Sequence, residues 1–183
     1  MGVMLDLVAS MVVRGAIVYI VLTMNISLNE LLYEKAQYAI VKQNTATMVD
    51  VLRNDFRYIG YGVSVGNPFL LADSNQVRFQ GDIDNNGIVD TLYFSIGPVS
   101  EMAGTPNPSD RIIYRRRNSG TPFEFGHGVT QFHLTYYNAT GNVTTSLSEI
   151  KTFKVRIMVQ GDREINRYYP TSVWESHILP SNI

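Results

Sequence analysis

The residues best suited to chemistry lie in one short stretch, Asp82-x-Asp84-x-Asn86-Gly87-x-x-Asp90. Oxygen-bearing side chains at the first, third, fifth and ninth positions, with glycine at the sixth, match the opening part of a calcium loop. A hard cation favours such an all-oxygen set, and Gly87 permits the tight turn that aims the ligands inward. The twelfth position is Tyr93 where such loops carry a bidentate glutamate, and the flanks, Gln80 and Thr91, read as strand residues and not as helix. Asp, Asn and Gly are also the residues that an ordinary hairpin turn uses. The motif therefore makes Asp82, Asp84, Asn86 and Asp90 a candidate calcium site, with a plain turn as the alternative. A bound ion would stiffen the hairpin and would not perform chemistry.

The second pair of chemically pointed residues is Asp6 and Arg14, the only charges between Val3 and Met24. A charge at membrane depth is costly unless it is paired. Eight residues along a helix separate the two by more than two turns, so they do not readily pair within one chain. Each is expected to meet a partner on a neighbouring copy, or Asp6 a neighbouring N-terminal amine. The alternative is that both side chains reach towards the membrane interfaces.

Other candidates are weaker. Arg115-Arg116-Arg117 beside Tyr114 would alternate between the two faces of a strand, which divides the charge and suggests a solvated edge. His127, His133 and His177 have no spacing that suits a metal or a base beside a nucleophile. No phosphate-cradling, Rossmann or serine-nucleophile motif occurs. With no cysteine, thiolate metal sites, disulfides and cysteine nucleophiles are excluded, and a net charge of -1 gives no basic field to recruit nucleic acid. These absences point away from an enzyme.

The elements that must carry these residues differ along the chain. Val3–Met24 is apolar nearly all round and as long as the roughly 20 residues a helix needs to cross a bilayer. It lacks the basic start, shorter apolar run and small-residue cleavage site of a secretory signal. No proline interrupts the chain before Pro68, and no glycine occurs between Gly15 and Gly60, so one helix is expected from Leu5 to about Tyr58. Its second half carries an apolar stripe at Leu28, Leu32, Ala36, Ala39, Ala46, Val49, Leu52, Phe56 and Ile59.

Beyond Gly60 the pattern changes to alternation: Val77/Phe79, Leu92/Phe94/Ile96, Ile112/Tyr114, Phe132/Leu134/Tyr136 and Phe153/Val155/Ile157/Val159. Alternation predicts short antiparallel strands with one covered face. The expected architecture is α+β: a long N-terminal helix, its apolar half protruding, with its second half packed on an antiparallel β-sheet. Residues 1–24, 25–59 and 60–183 form its three parts.

Taken in order, these segments resemble the type IV pilin and pseudopilin superfamily. Met4-Leu-Asp-Leu-Val-Ala-Ser10 looks like the start of the family's mature helix, Thr-Leu-x-Glu-Leu-x-x-Ala/Ser. Val51-Leu-Arg-Asn-Asp-Phe-Arg-Tyr-Ile-Gly-Tyr-Gly62 is similar to the helix end of minor pilin W and pseudopilin J. Ile113-Tyr-Arg-Arg, Gly128-Val-Thr-Gln-Phe-His-Leu-Thr-Tyr136 and Ile150-Lys-Thr-Phe-Lys-Val-Arg-Ile157 follow in the order of the same two proteins. Asp6 stands where the family has glutamate, one residue nearer the preceding glycine, and Arg14 is a further departure.

The resemblance implies a pilin-like fold and a bacterial-envelope subunit held in the inner membrane, or carried into an extracellular filament, by the helix. Partners would be other pilin or pseudopilin subunits, with Asp6 as the matching acidic residue that faces an adjacent subunit's N-terminal amine. A minor or tip subunit is the first expectation. A major repeating subunit, or a membrane-tethered calcium-binding or adhesive domain that never polymerises, are the alternatives.

Overall fold

The computed structural model describes residues 2–183, with α1 spanning Gly2–Phe56. Met1, where the first predicted segment begins, lies outside the described residues. The absence of proline lets the backbone ladder run unbroken, and the turn after Phe56 ends it. Gly60 there has φ +78, and a Cβ at that position would land on the Asn182 carbonyl oxygen. The chain divides into two compact units, residues up to Gln37 and Tyr38–Ile183. The first unit is helix alone.

The second unit contains the remainder of α1 and eight strands: β1 (Phe69–Ala72), β2 (Gln76–Gly81), β3 (Asp90–Ile96), β4 (Ile113–Arg117), β5 (Phe123–Gly126), β6 (Val129–Tyr137), β7 (Thr152–Gln160) and β8 (Thr171–Ile178). All strand pairs are antiparallel, which gives the α+β class expected from the alternating pattern. The sequence predicts one sheet; the structure has two, ordered β1-β2-β3-β4-β5 and β6-β7-β8. Periodicity fixes which residues face inward but not which strand edges meet. Here the outer edge of β6 receives the β1–β2 turn instead of β5. Leu134 N–H donates to the Ser74 carbonyl at 2.8 Å, and Tyr136 Oη to the Asp73 carbonyl at 3.1 Å.

One apolar core serves both sheets. Phe56, with no exposed surface, meets Phe79 and Phe94 of the first sheet edge-on at centroid distances of 5.8 and 5.5 Å. It meets Phe153 of the second at 5.2 Å. Edge-to-face rings gain roughly 0.5–1.5 kcal/mol per pair beyond simple burial.

Two expectations are corrected. The buried face of α1 is Val41, Thr45, Met48, Val49, Leu52, Asp55 and Phe56, while Leu28, Leu32, Ala36, Ala39 and Ala46 are exposed. A stripe followed in seven-residue steps (46, 39, 32) drifts by about 20° per step on a straight helix, so it leaves the buried face. The true stripe includes a threonine, whose hydroxyl donates to the Val41 carbonyl at 2.8 Å and so can be buried.

In β4, Ile113 and Arg115 face inward and Tyr114 and Arg116 outward; of the predicted Ile112/Tyr114 pair, Ile112 is buried just before the strand and Tyr114 is not. The cause is Arg115 itself. An inward arginine breaks the apolar alternation, and its charge is met from the helix.

Candidate functional site

The acidic motif falls on the β2–β3 connection. Asp82 directly follows β2 and Asp90 opens β3; both are buried, while Asp84 is exposed. Asp82 organises the turn: its two carboxylate oxygens accept the backbone N–H groups of Asn86 at 3.0 Å and Gly87 at 2.8 Å. Asn85 at φ 57 and Gly87 at φ 85 take the left-handed conformations that the tight loop needs, which asparagine and glycine tolerate best. Ligand-capable oxygens of Asp82, Asp84 and Asp90 come within 4.8 Å of one another.

The structure thus brings the three predicted aspartate ligands together. Asn86 is engaged elsewhere, its side-chain oxygen accepting the Ile88 N–H at 2.8 Å. Tyr93 lies on β3, where its hydroxyl donates to Gln76 and its ring underlies the Arg116 guanidinium.

A cation with no local signal in the sequence already sits inside the cluster. Arg117, at the end of β4, donates from Nη2 to Asp84 at 2.5 Å and to Asp90 at 2.6 Å. Asn118 adds a hydrogen bond to the other oxygen of Asp90 at 2.8 Å. Burial pushes the Asp90 carboxyl pKa up, but the hydrogen bonds from Arg117 and Asn118 and the Arg117 charge outweigh it, and the net shift is downward. The three-arginine run is accordingly no solvated edge. β4 lies inside the five-stranded sheet, Arg117 closes the loop, and Arg115 binds Asp55 of α1.

An oxygen-rich set of this kind suits calcium, but the guanidinium occupies the place where the ion's charge would act. The ion and Arg117 therefore compete. In chelator-treated full-length protein, calcium at about 1 mM is expected to leave the melting temperature of the wild type nearly unchanged. The Arg117→Gln variant, with the cluster uncompensated, should gain thermal stability from the same addition. Equal gains in both chains would show that Arg117 does not control the site.

The same geometry gives a pH dependence. A carboxylate whose folded pKa lies below its ordinary 3.8 contributes stability that is complete above that value. That contribution is lost as pH falls through the folded value. The stability advantage of wild type over Asp90→Asn should therefore be constant near neutrality and shrink below about pH 4. A difference in melting temperature that stays flat into the acid range would refute this assignment.

Another carboxylate gave no signal in the sequence. Asp110 is 2 % exposed, and its Oδ1 has no hydrogen-bond partner. Burial raises its pKa, helped by the charge of Asp162 and opposed by a hydrogen bond from Thr105. It sits in the long β3–β4 connection as one Asp among turn residues, and only the folded packing buries it.

Asp6 and Arg14 both lie on α1 and are exposed. Among the described residues neither has an ion-pair partner. The surrounding side chains are apolar and equally exposed, among them Leu7, Val8, Met11, Val13, Ile17 and Val18. Gly2–Phe56 is the one helix among the described residues that is long and apolar enough to cross a membrane.

Fold and site together define an α+β protein with an N-terminal helix able to anchor in a membrane and a two-sheet unit bearing an arginine-closed acidic hairpin. No protein-family model matches the chain, and no curated protein matches it significantly in sequence.

Proposed function

We propose that this chain is a structural subunit, not an enzyme, of a filament of the type IV pilus or type II secretion pseudopilus kind. The observation that carries this reading is the helix segment Val3–Met24. It is apolar and exposed along its described length, yet holds one acid and one base that have no ion-pair partner among the described residues. Such a surface is stable only in lipid or among other apolar helices, and a buried charge needs a counter-charge there. A filament that draws its subunits from a membrane supplies both environments in turn.

In this reading the subunit waits in the inner membrane of a bacterial envelope with its two-sheet unit outside the cytoplasm. It then joins other pilin or pseudopilin subunits through the helix. The ordered likeness to minor pilin W and pseudopilin J favours a minor or tip position over a repeating shaft subunit.

Negative-stain imaging of detergent-extracted full-length protein, before and after detergent removal, tests the proposal. Filaments, or small defined complexes with pilin-like subunits, are the expected result. Monodisperse chains that only reinsert into vesicles would instead establish a tethered domain.

A further inference from the structure

We infer that in the assembled state the Asp6 carboxylate of one copy pairs with the Arg14 guanidinium of the next. This pair sets the axial register between neighbouring helices. The inference rests on the filament reading above and names the contact within it.

Asp6 and Arg14 are the only charged residues in Val3–Met24, one of each sign. Eight helical residues place them about 12 Å apart along the axis and about 80° apart around it. Among the described residues neither has an ion-pair partner within the chain. A second copy is the occupant whose charges complement both.

Copies inserted in one orientation run parallel. At equal height, Asp6 of one would face Asp6 of its neighbour, and Arg14 would face Arg14, so like charges would oppose each other in an apolar layer. A shift of eight residues, about 12 Å, brings Asp6 level with Arg14 instead. Ala9 and Ser10 lie one turn beyond Asp6 on the same face, and small side chains there let a second helix approach closely.

The contact is heterologous, because each copy offers Asp6 to one neighbour and Arg14 to another. The angular separation of the two residues leaves both available at once. A heterologous contact with an axial shift cannot close into a ring, so it continues as an open helical array. The same two charges that penalise a lone helix in lipid thus favour extension over a closed dimer.

The test compares full-length wild type with Asp6→Asn, Arg14→Gln, the exchanged pair Asp6→Arg with Arg14→Asp, and the doubly neutral pair Asp6→Asn with Arg14→Gln. Carbonate-resistant membrane association confirms insertion of each, and sedimentable filament measures assembly. Each single change is expected to lower filament yield at least about tenfold, because it leaves the opposite charge buried without a partner. Both double variants should recover most of that yield, and the contacting helices should show an axial offset of about 12 Å by electron cryomicroscopy.

If Arg14→Gln assembles as wild type while Asp6→Asn does not, Asp6 has another partner, such as an N-terminal amine, and the pairing is wrong. Unimpaired assembly of both single variants, or failure of both double variants to recover, would also overturn it while leaving the filament reading intact. Wild type that yields only monomers in micelles would remove the filament reading and the pairing together.

Discussion

Replacing Arg115 with alanine is expected to destabilise the folded chain by about 3–5 kcal/mol, the usual penalty for leaving one member of a buried ion pair alone. The pair joins helix to sheet. Arg115 Nε and Nη2 donate to the two carboxylate oxygens of Asp55 at 2.6 and 3.1 Å, a two-pronged arrangement that fixes geometry as well as charge. The Asp55 side chain is only 3 % exposed, against 27 % for Arg115. Loss of the arginine therefore strands a carboxylate with no route to water. Loss of the aspartate leaves a guanidinium that can turn outward.

The expected order is thus Arg115→Ala worse than Asp55→Ala. The double change Asp55→Leu with Arg115→Met should fall well below the sum of the single costs, since buried pairs are often replaceable by apolar groups. Urea unfolding of the full chain in micelles, followed by the fluorescence of the single tryptophan, Trp174, gives these values. Additive effects of the two single changes would mean that the pair is not coupled.

Phe56→Ala is expected to cost a similar amount, about 3–5 kcal/mol, for a different reason. The ring is the helix side chain that touches aromatic rings of both sheets, at Phe79, Phe94 and Phe153. Its removal opens a void at the seam between two sheets that share no ladder there, so neither can close over it without moving the other. Phe56→Leu keeps most of the volume and should retain much of the stability, losing mainly the edge-to-face ring contacts. A cost for Phe56→Ala below about 1 kcal/mol would show that the seam collapses freely and that the core does not depend on this residue.

Both residues bear on the proposed function. The two-sheet unit does the subunit's surface work only if the helix holds it as one body. Asp55 and Phe56 are neighbours at the end of α1 and supply the polar and apolar halves of that attachment.

Much of this was legible beforehand, and the reason differs by element. The long helix follows from a local property, the absence of proline over its whole length. Strands β2, β3, β6 and β7 show in their alternation because each buries most of one apolar face. Strands β1, β5 and β8 escaped notice. They are short or only half-buried edge strands, so their sequences carry little contrast between faces.

The acidic hairpin divides in the same way. That Asp82, Asp84 and Asp90 converge follows from their spacing across a tight turn with Gly87 in it, a local matter. That Arg117 completes the cluster follows from β3 pairing with β4, which sets Leu92 opposite Arg117 some twenty-five residues away. No window of sequence contains both partners.

The sequence by itself determined the chemistry of the first half of the helix: its length, its apolar character and the lone charges at Asp6 and Arg14. Only the tertiary structure decided the rest. It split one expected sheet into two, turned Arg115 inward to Asp55 and filled the candidate cation site with Arg117. The physical reason is common to all three. Periodicity records what each residue's own surroundings must be, apolar or wet, whereas strand order and charge pairing depend on which distant segments share an edge.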